Sequence, residues 1–158
     1  MEKKRVLFVC LGNICRSPAA EGAFTDLVQK SKLESKFIID SAGTGEWHIG
    51  ELSHPNTRKT AKKRGIELIH RARLFTRDDF DKFDYILAMD SSNLSNILAM
   101  ARNEEDKKKV FKFRRFDPEV EGEPDVPDPY YGGLQGFSNV QEICERTSKG
   151  LLDWILKS

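Results

Sequence analysis

Short apolar runs alternate with stretches of helical spacing along this chain. Val6-Leu7-Phe8-Val9 is β-branched and aromatic and too short for a helix, so it predicts a strand buried on both faces. Phe37-Ile38-Ile39 and Tyr85-Ile86-Leu87-Ala88-Met89 predict two more. Val110-Phe111-Lys112-Phe113 predicts a weaker strand, placed at a sheet edge because of its lysine. A helix from about Pro18 to Lys30 presents Ala20, Ala23, Phe24, Leu27 and Val28 on one face. A second spans about Asn56 to Arg64 and stops at Gly65, a residue suited to a left-handed cap. Thr76-Arg77-Asp78-Asp79 opens a short helix with capping-box spacing, Asp standing in for Glu. Ser91 or Ser92 caps a helix running from Asn93 to about Arg102. A last helix covers about Asn139 to Leu156, with Val140, Ile143, Leu151, Leu152 and Ile155 in the core. This alternation, with no repeat or linker, predicts a single α/β domain over residues 1–158. Its parallel sheet has about four strands, with helices on both faces.

Composition narrows the function classes. The hydrophobic fraction is 39%, ordinary for a globular chain with one core. A net charge of +1 offers no field to recruit nucleic acid or an anionic membrane. Met1-Glu2-Lys3-Lys4-Arg5 leads into too short an apolar run for a signal peptide or a membrane span. Three cysteines, one far from the other two, argue against a disulfide framework and for a reducing cytoplasm.

The chemistry concentrates where the first strand ends. Cys10-Leu11-Gly12-Asn13-Ile14-Cys15-Arg16-Ser17-Pro18 reads as a tight loop entering a helix. Gly12 and Asn13 tolerate positive φ, Ser17 suits an N-cap, and Pro18 suits the first turn. Such a loop aims backbone N–H groups at one spot, and the helix dipole adds positive potential there. That field favours a thiolate at Cys10, and Arg16 offers a planar fork for two phosphate oxygens. A thiolate facing a held phosphate is a nucleophile aimed at phosphorus. Taken alone, Cys-x5-Arg recurs by chance and Cys10 reads equally as a small core residue. The strand before it, Gly-Asn within it and Ser-Pro after it select the catalytic reading. No Gly-Lys-Ser/Thr follows, so this is not an ATP-type loop.

Phosphoryl transfer also needs a proton donor for the leaving oxygen. Asp117 to Pro129 is a long acidic loop with four prolines, Pro118, Pro124, Pro127 and the closing Pro129, and loops of that length are usually functional or mobile. Its best candidate is Asp128 in Pro127-Asp128-Pro129, where flanking prolines restrict the backbone. On the residues alone, Asp128 is either that donor or an ordinary turn aspartate. Asp40 to Gly45 forms a polar, glycine-rich loop after the second strand. Ligands of open α/β sheets collect at the carboxyl ends of the strands, which places the Cys10 loop, the Ser41 loop, Asp90 and the acidic loop on one rim.

Cys10 to Ser17, Cys-Leu-Gly-Asn-Ile-Cys-Arg-Ser, resembles the signature loop of the low molecular weight protein-tyrosine phosphatases. Asp128-Pro129-Tyr130-Tyr131-Gly132 resembles the second signature of that family. The stretches Asp40–Gly45, Trp47–Gly50, His70–Arg73 and Phe83–Asp90 are similar to its bacterial members. The resemblance implies a flavodoxin-like fold and a phosphocysteine on Cys10. It implies phosphate binding by Arg16, with the loop from Leu11 through Gly12, Asn13, Ile14 and Cys15 to Ser17. It implies that Asp128 is the general acid and base. Ser17 would hydrogen-bond the Cys10 sulfur. Asn13, Ser41 and His70 would hold the loop, with Asp90 helping to orient the site. Trp47, Tyr130 and Tyr131 are expected as substrate walls; the bland alternative for each is surface packing. Cys15 either packs or, as in this family, forms a reversible disulfide with Cys10. His54 stands where many bacterial members carry an acidic residue.

No cofactor or metal is expected, since arginine and amides supply the electrostatics and Cys10-x4-Cys15 is poor zinc spacing. The implied partners are phosphotyrosine proteins, a bacterial tyrosine kinase among them, with no nucleic acid and no membrane. The chain is expected to be a monomer or weak dimer. Two competing readings share the loop. A thiol-coupled arsenate reductase needs relay cysteines, and Cys144 stands alone on the last helix. A binding module without turnover would lack Cys10 or Asp128, and both are present.

Overall fold

A computed structural model describes residues 2–131 and 133–158; Met1, Gly132 and the side chain of Tyr131 lie outside the description. The strands are β1 (Lys4–Cys10), β2 (Phe37–Gly43), β3 (Tyr85–Ala88) and β4 (Val110–Lys112). The helices are α1 (Arg16–Lys30), α2 (Pro55–Lys62), α3 (Asp79–Lys82), α4 (Ser91–Met100), α5 (Glu104–Lys107) and α6 (Gly133–Lys157). The strands form one parallel sheet in the order β2-β1-β3-β4.

The first strand of the chain therefore lies inside the sheet, and its alternation serves two cores. Val6, Phe8 and Cys10 face a cluster built with Ala20, Phe24 and Val28 of α1 and Val140, Leu151 and Ile155 of α6. Phe8 packs against Phe24 at 5.7 Å and edge-on against Phe113 at 5.4 Å. Leu7 and Val9 face the opposite cluster, with Phe75, Phe80, Phe83 and Ile97. No helix among the described residues is long and apolar enough to cross a membrane.

Several boundaries move from expectation for physical reasons. Asp40 to Gly43 continue β2 because they register with Leu7 to Cys10, so the expected loop begins only at Thr44. Helix α1 opens at Arg16 with no side-chain cap, and Ser17 lies inside the first turn. Its hydroxyl is spent on the Cys10 loop instead. Asp90, not Ser91 or Ser92, caps α4: its Oδ1 accepts from Asn93 N–H at 2.7 Å. Helix α6 begins at Gly133 rather than Asn139. Gly136 permits this, since a Cβ there would lie 3.2 Å from the Pro129 carbonyl oxygen. β4 is an edge strand as expected, but Lys112 turns inward, 9% exposed. Helix α5 was not foreseen; Asn103 caps it through Asp106 N–H at 2.9 Å.

Candidate active site

The sheet order puts the end of β1 between β2 and β3, the switch point where α/β sheets bind ligands. Cys10 ends β1 there, and Leu11 to Cys15 wrap to the first residue of α1. Asn13, at φ +56°, makes the left-handed turn; Gly12 does not. Gly43, closing β2, must lack a side chain, because a Cβ would lie 2.7 Å from the Leu11 carbonyl oxygen.

Asn13 is 1% exposed and binds four groups. Its Nδ2 donates to Ser17 Oγ at 2.8 Å and Ser41 Oγ at 3.0 Å. Its Oδ1 accepts from Arg73 N–H at 3.0 Å and His70 Nε2 at 2.8 Å. Ser17 Oγ lies 3.0 Å from Cys10 Sγ. Arg16 donates through Nη1 to Asp90 Oδ2 at 2.7 Å and to the Val126 carbonyl at 3.1 Å. Among the described residues its Nε and Nη2 take no protein partner, leaving that edge of the fork for an anion. One carboxylate thus serves two ends: Asp90 caps α4 with one oxygen and orients Arg16 with the other.

Behind this layer lies an ion network that sequence reasoning missed. His70 Nδ1 stands 3.4 Å from Glu21 and 3.3 Å from Asp40. Glu21 accepts from Ser41 Oγ at 2.6 Å. Arg73 bridges Asp40 at 2.9 Å and Asp79 at 3.0 Å. Burial pushes the Glu21 carboxyl up, opposed by His70 and Ser41. Among the described residues, Glu21, Asp40 and His70 are the trio with ligand atoms close enough to grip a cation. Ser41, Asn13 and Arg73 already engage all three, so the trio reads as a compensated network. Within this network the resemblance gives a role to His70 and Ser41 alone; Asp40 and Arg73 lie in stretches similar to the family but receive none, and Glu21 is only part of the first helix.

The front of the site is a cleft of about 130 Å³. Cys10, Leu11, Gly12, Ile14, Cys15, Arg16, Trp47, His48, Asp128 and Tyr130 line it. Asn13, Ser17, Ser41, His70 and Asp90 stand behind, so any phosphate contact of Asn13 or Ser17 is through the backbone. Trp47 and Tyr130 are 69% and 56% exposed. Asp128 is exposed, and its Oδ1 accepts from Tyr130 N–H at 3.0 Å. His48 is a wall not foreseen. His54 sits edge-on to Tyr130 at 5.5 Å and stacks on Phe137 at 4.8 Å. Cys10 and Cys15 are both free; burial pushes the Cys15 thiol up to about 12, so at neutral pH it is protonated.

Comparison with known proteins agrees with this geometry. The family profile described as low molecular weight phosphotyrosine protein phosphatase matches residues 5–158. The low molecular weight protein-tyrosine-phosphatase of Streptomyces coelicolor is 45% identical over 149 residues, covering 94% of this chain and 91% of the relative. The Schizosaccharomyces pombe phosphatase is 50% identical over 137 residues, covering 85% and 86%. A crystal structure of a protein tyrosine phosphatase from Entamoeba histolytica superposes with a TM-score of 0.93 at 41% identity, covering 98% of each chain. The chain belongs to the low molecular weight phosphotyrosine protein phosphatase family, and it is a protein-tyrosine phosphatase.

Proposed function

We propose that this enzyme hydrolyses phosphotyrosine in two steps through a phosphocysteine on Cys10. In the first step Cys10 Sγ attacks phosphorus. The S–P bond forms as the bond to the phenolic oxygen breaks, and Asp128 gives that oxygen its proton. In the second step Asp128, now ionised, takes a proton from water. The water oxygen attacks phosphorus, the S–P bond breaks, and inorganic phosphate leaves with the Cys10 thiolate restored. Arg16 and the loop N–H groups hold the three equatorial oxygens in both steps. Ser17, whose oxygen already accepts from Asn13, donates its own proton to the thiolate. Asn13, Ser41 and His70 keep the loop in shape, and Asp90 orients Arg16. Trp47 and Tyr130 flank the ring of the substrate, which favours a phosphotyrosine over a shorter phosphoserine. The protein substrates are tyrosine-phosphorylated proteins, and a tyrosine kinase is the class of enzyme whose products this one reverses.

The observation that carries the reading is the convergence on one cleft of a thiol, an arginine with a free edge and an exposed carboxyl. Nothing favours arsenate reduction: Cys144 is fully buried in α6 and burial drives its thiol far up, so it is a poor relay. The test is hydrolysis of a phosphotyrosine peptide with a chelator present. Wild type turns over, Cys10→Ser is inactive, and Asp128→Ala loses roughly 10²–10⁴ in rate. Consumption of thiol reductant with arsenate but no phosphate release from the peptide would overturn the assignment, as would binding without turnover.

A further inference from the structure

The acidic loop arrives at the cleft with its root tied down. Lys112, at the end of β4, keeps its side chain 10% exposed and its Nζ 2.7 Å from Asp125 Oδ1. Nζ also donates to Ser91 Oγ at 2.9 Å. That same Asp125 oxygen accepts from the Ser91 N–H at 3.0 Å and its hydroxyl at 3.2 Å. Arg114 donates to the Asp125 carbonyl at 3.1 Å. The next residue, Val126, is fully buried and held at both ends. Its N–H donates to the Met89 carbonyl at 2.8 Å, and its carbonyl accepts from Arg16 Nη1 at 3.1 Å. Only Pro127, whose φ is fixed by its ring, separates Val126 from Asp128.

Met89-Asp90-Ser91 is therefore a common frame. Met89 holds Val126, Asp90 holds Arg16, and Ser91 holds Asp125. We propose that Lys112 and Asp125 are positioning residues for Asp128, their ion pair registering the acid loop on the frame that orients Arg16. The proposal rests on the reading of Asp128 as the general acid. An exposed ion pair would carry little weight. This one differs because the lysine amine is desolvated and has two partners that both belong to the frame or the loop.

A plain staple between β4 and the loop would stabilise the protein without touching proton transfer, and the leaving group separates the two. kcat/KM reports S–P bond formation, the step in which Asp128 protonates the departing oxygen. An acidic phenol leaves without that proton; a phenol like tyrosine, at about 10, needs it. We would measure kcat/KM over a series of aryl phosphates for wild type, Asp128→Ala, Lys112→Met, Asp125→Asn and Lys112→Arg. Asp125 is half exposed, so Lys112→Met strands no buried charge, and melting curves report any loss of fold.

Asp128→Ala gives the steepest dependence on leaving-group basicity. Lys112→Met and Asp125→Asn steepen it part of the way, with a loss of about tenfold on the tyrosine-like phenol and under about threefold on the most acidic one. Lys112→Arg restores the wild-type slope. Equal losses across the series in both variants, with Asp128→Ala still steep, overturn the positioning role alone. An unchanged slope in Asp128→Ala overturns the reading of Asp128, and the proposal falls with it.

Discussion

Replacing Asn13 by alanine isolates what holds the Cys10 loop. The substitution deletes four hydrogen bonds, to Ser17, Ser41, His70 and the Arg73 N–H, at a residue 1% exposed. At about 1 kcal/mol each these sum to about 4 kcal/mol. Alanine at φ +56° adds about 1 kcal/mol that asparagine largely avoids. Partial rearrangement of the serine hydroxyls returns some of this, so about 3–5 kcal/mol is expected. In a chain of 158 residues that corresponds to a fall in Tm on the order of 10 °C. Asn13→Gly loses the same bonds but not the φ penalty, so it should melt about 3 °C above the alanine variant. The assay is thermal unfolding of the three proteins by circular dichroism, with phosphatase activity measured well below the transition. Both variants should lose most activity, because the loop N–H groups lose their alignment. A fall under about 3 °C for Asn13→Ala would refute the network as the source of loop stability. Equal melting of the two variants would refute the backbone term.

Gly150 and Gly45 should respond oppositely to a methyl group. At Gly150 a Cβ would lie 1.9 Å from the Phe116 backbone oxygen, so Gly150→Ala must shift α6 and lower Tm by about 5 °C or more, read by thermal unfolding. At Gly45 the three nearest atoms it would meet all belong to the exposed Trp47 ring, so Gly45→Ala should leave Tm unchanged and raise KM for aryl phosphates in steady-state kinetics. Asp117 is pushed up by burial, but Arg146, the Glu119 N–H and Arg114 outweigh that and hold it below the usual carboxylate range. Its contribution is present above the unfolded value of about 4 and is lost as pH falls through the lower folded value, so Asp117→Asn should flatten the acid side of urea-measured stability. His54 accepts from Asn56 N–H through Nδ1, and burial, then Arg58, push its pKa down. Stability should therefore drop as pH falls below about 6.5, and His54→Ala should abolish that drop while raising KM for aryl phosphates through Tyr130.

The Cys10 loop was legible because it is local: a buried strand, a residue that accepts positive φ and a helix start lie within one short segment. Asp128 was not legible from its neighbours, since a proline-flanked aspartate looks the same in any turn. Its place in the cleft is set by Val126 meeting Met89 and Arg16 across the fold. The helix caps failed for a related reason. Ser17 and Ser91 are good cap residues, but tertiary partners claim both hydroxyls, Cys10 and Asn13 in one case and Lys112 and Asp125 in the other. Lys112 read as a solvated edge charge because the two groups that take it inward come from distant segments. His48 and Glu21 receive no role from the sequence; only the folded chain shows what they face.

The strand made first by the chain is also the one with neighbours on both sides, and its closing contacts arrive from very late segments. Arg16 meets its Val126 partner 110 residues downstream. Fold topologies built on such distant pairings reach the native state slowly, because loop-closure entropy is spent before the contacts reward it. Collapse of the two apolar layers can therefore precede a working cleft. During refolding from urea, tryptophan fluorescence should recover ahead of catalysis, and the regain of turnover marks the moment the acidic loop docks.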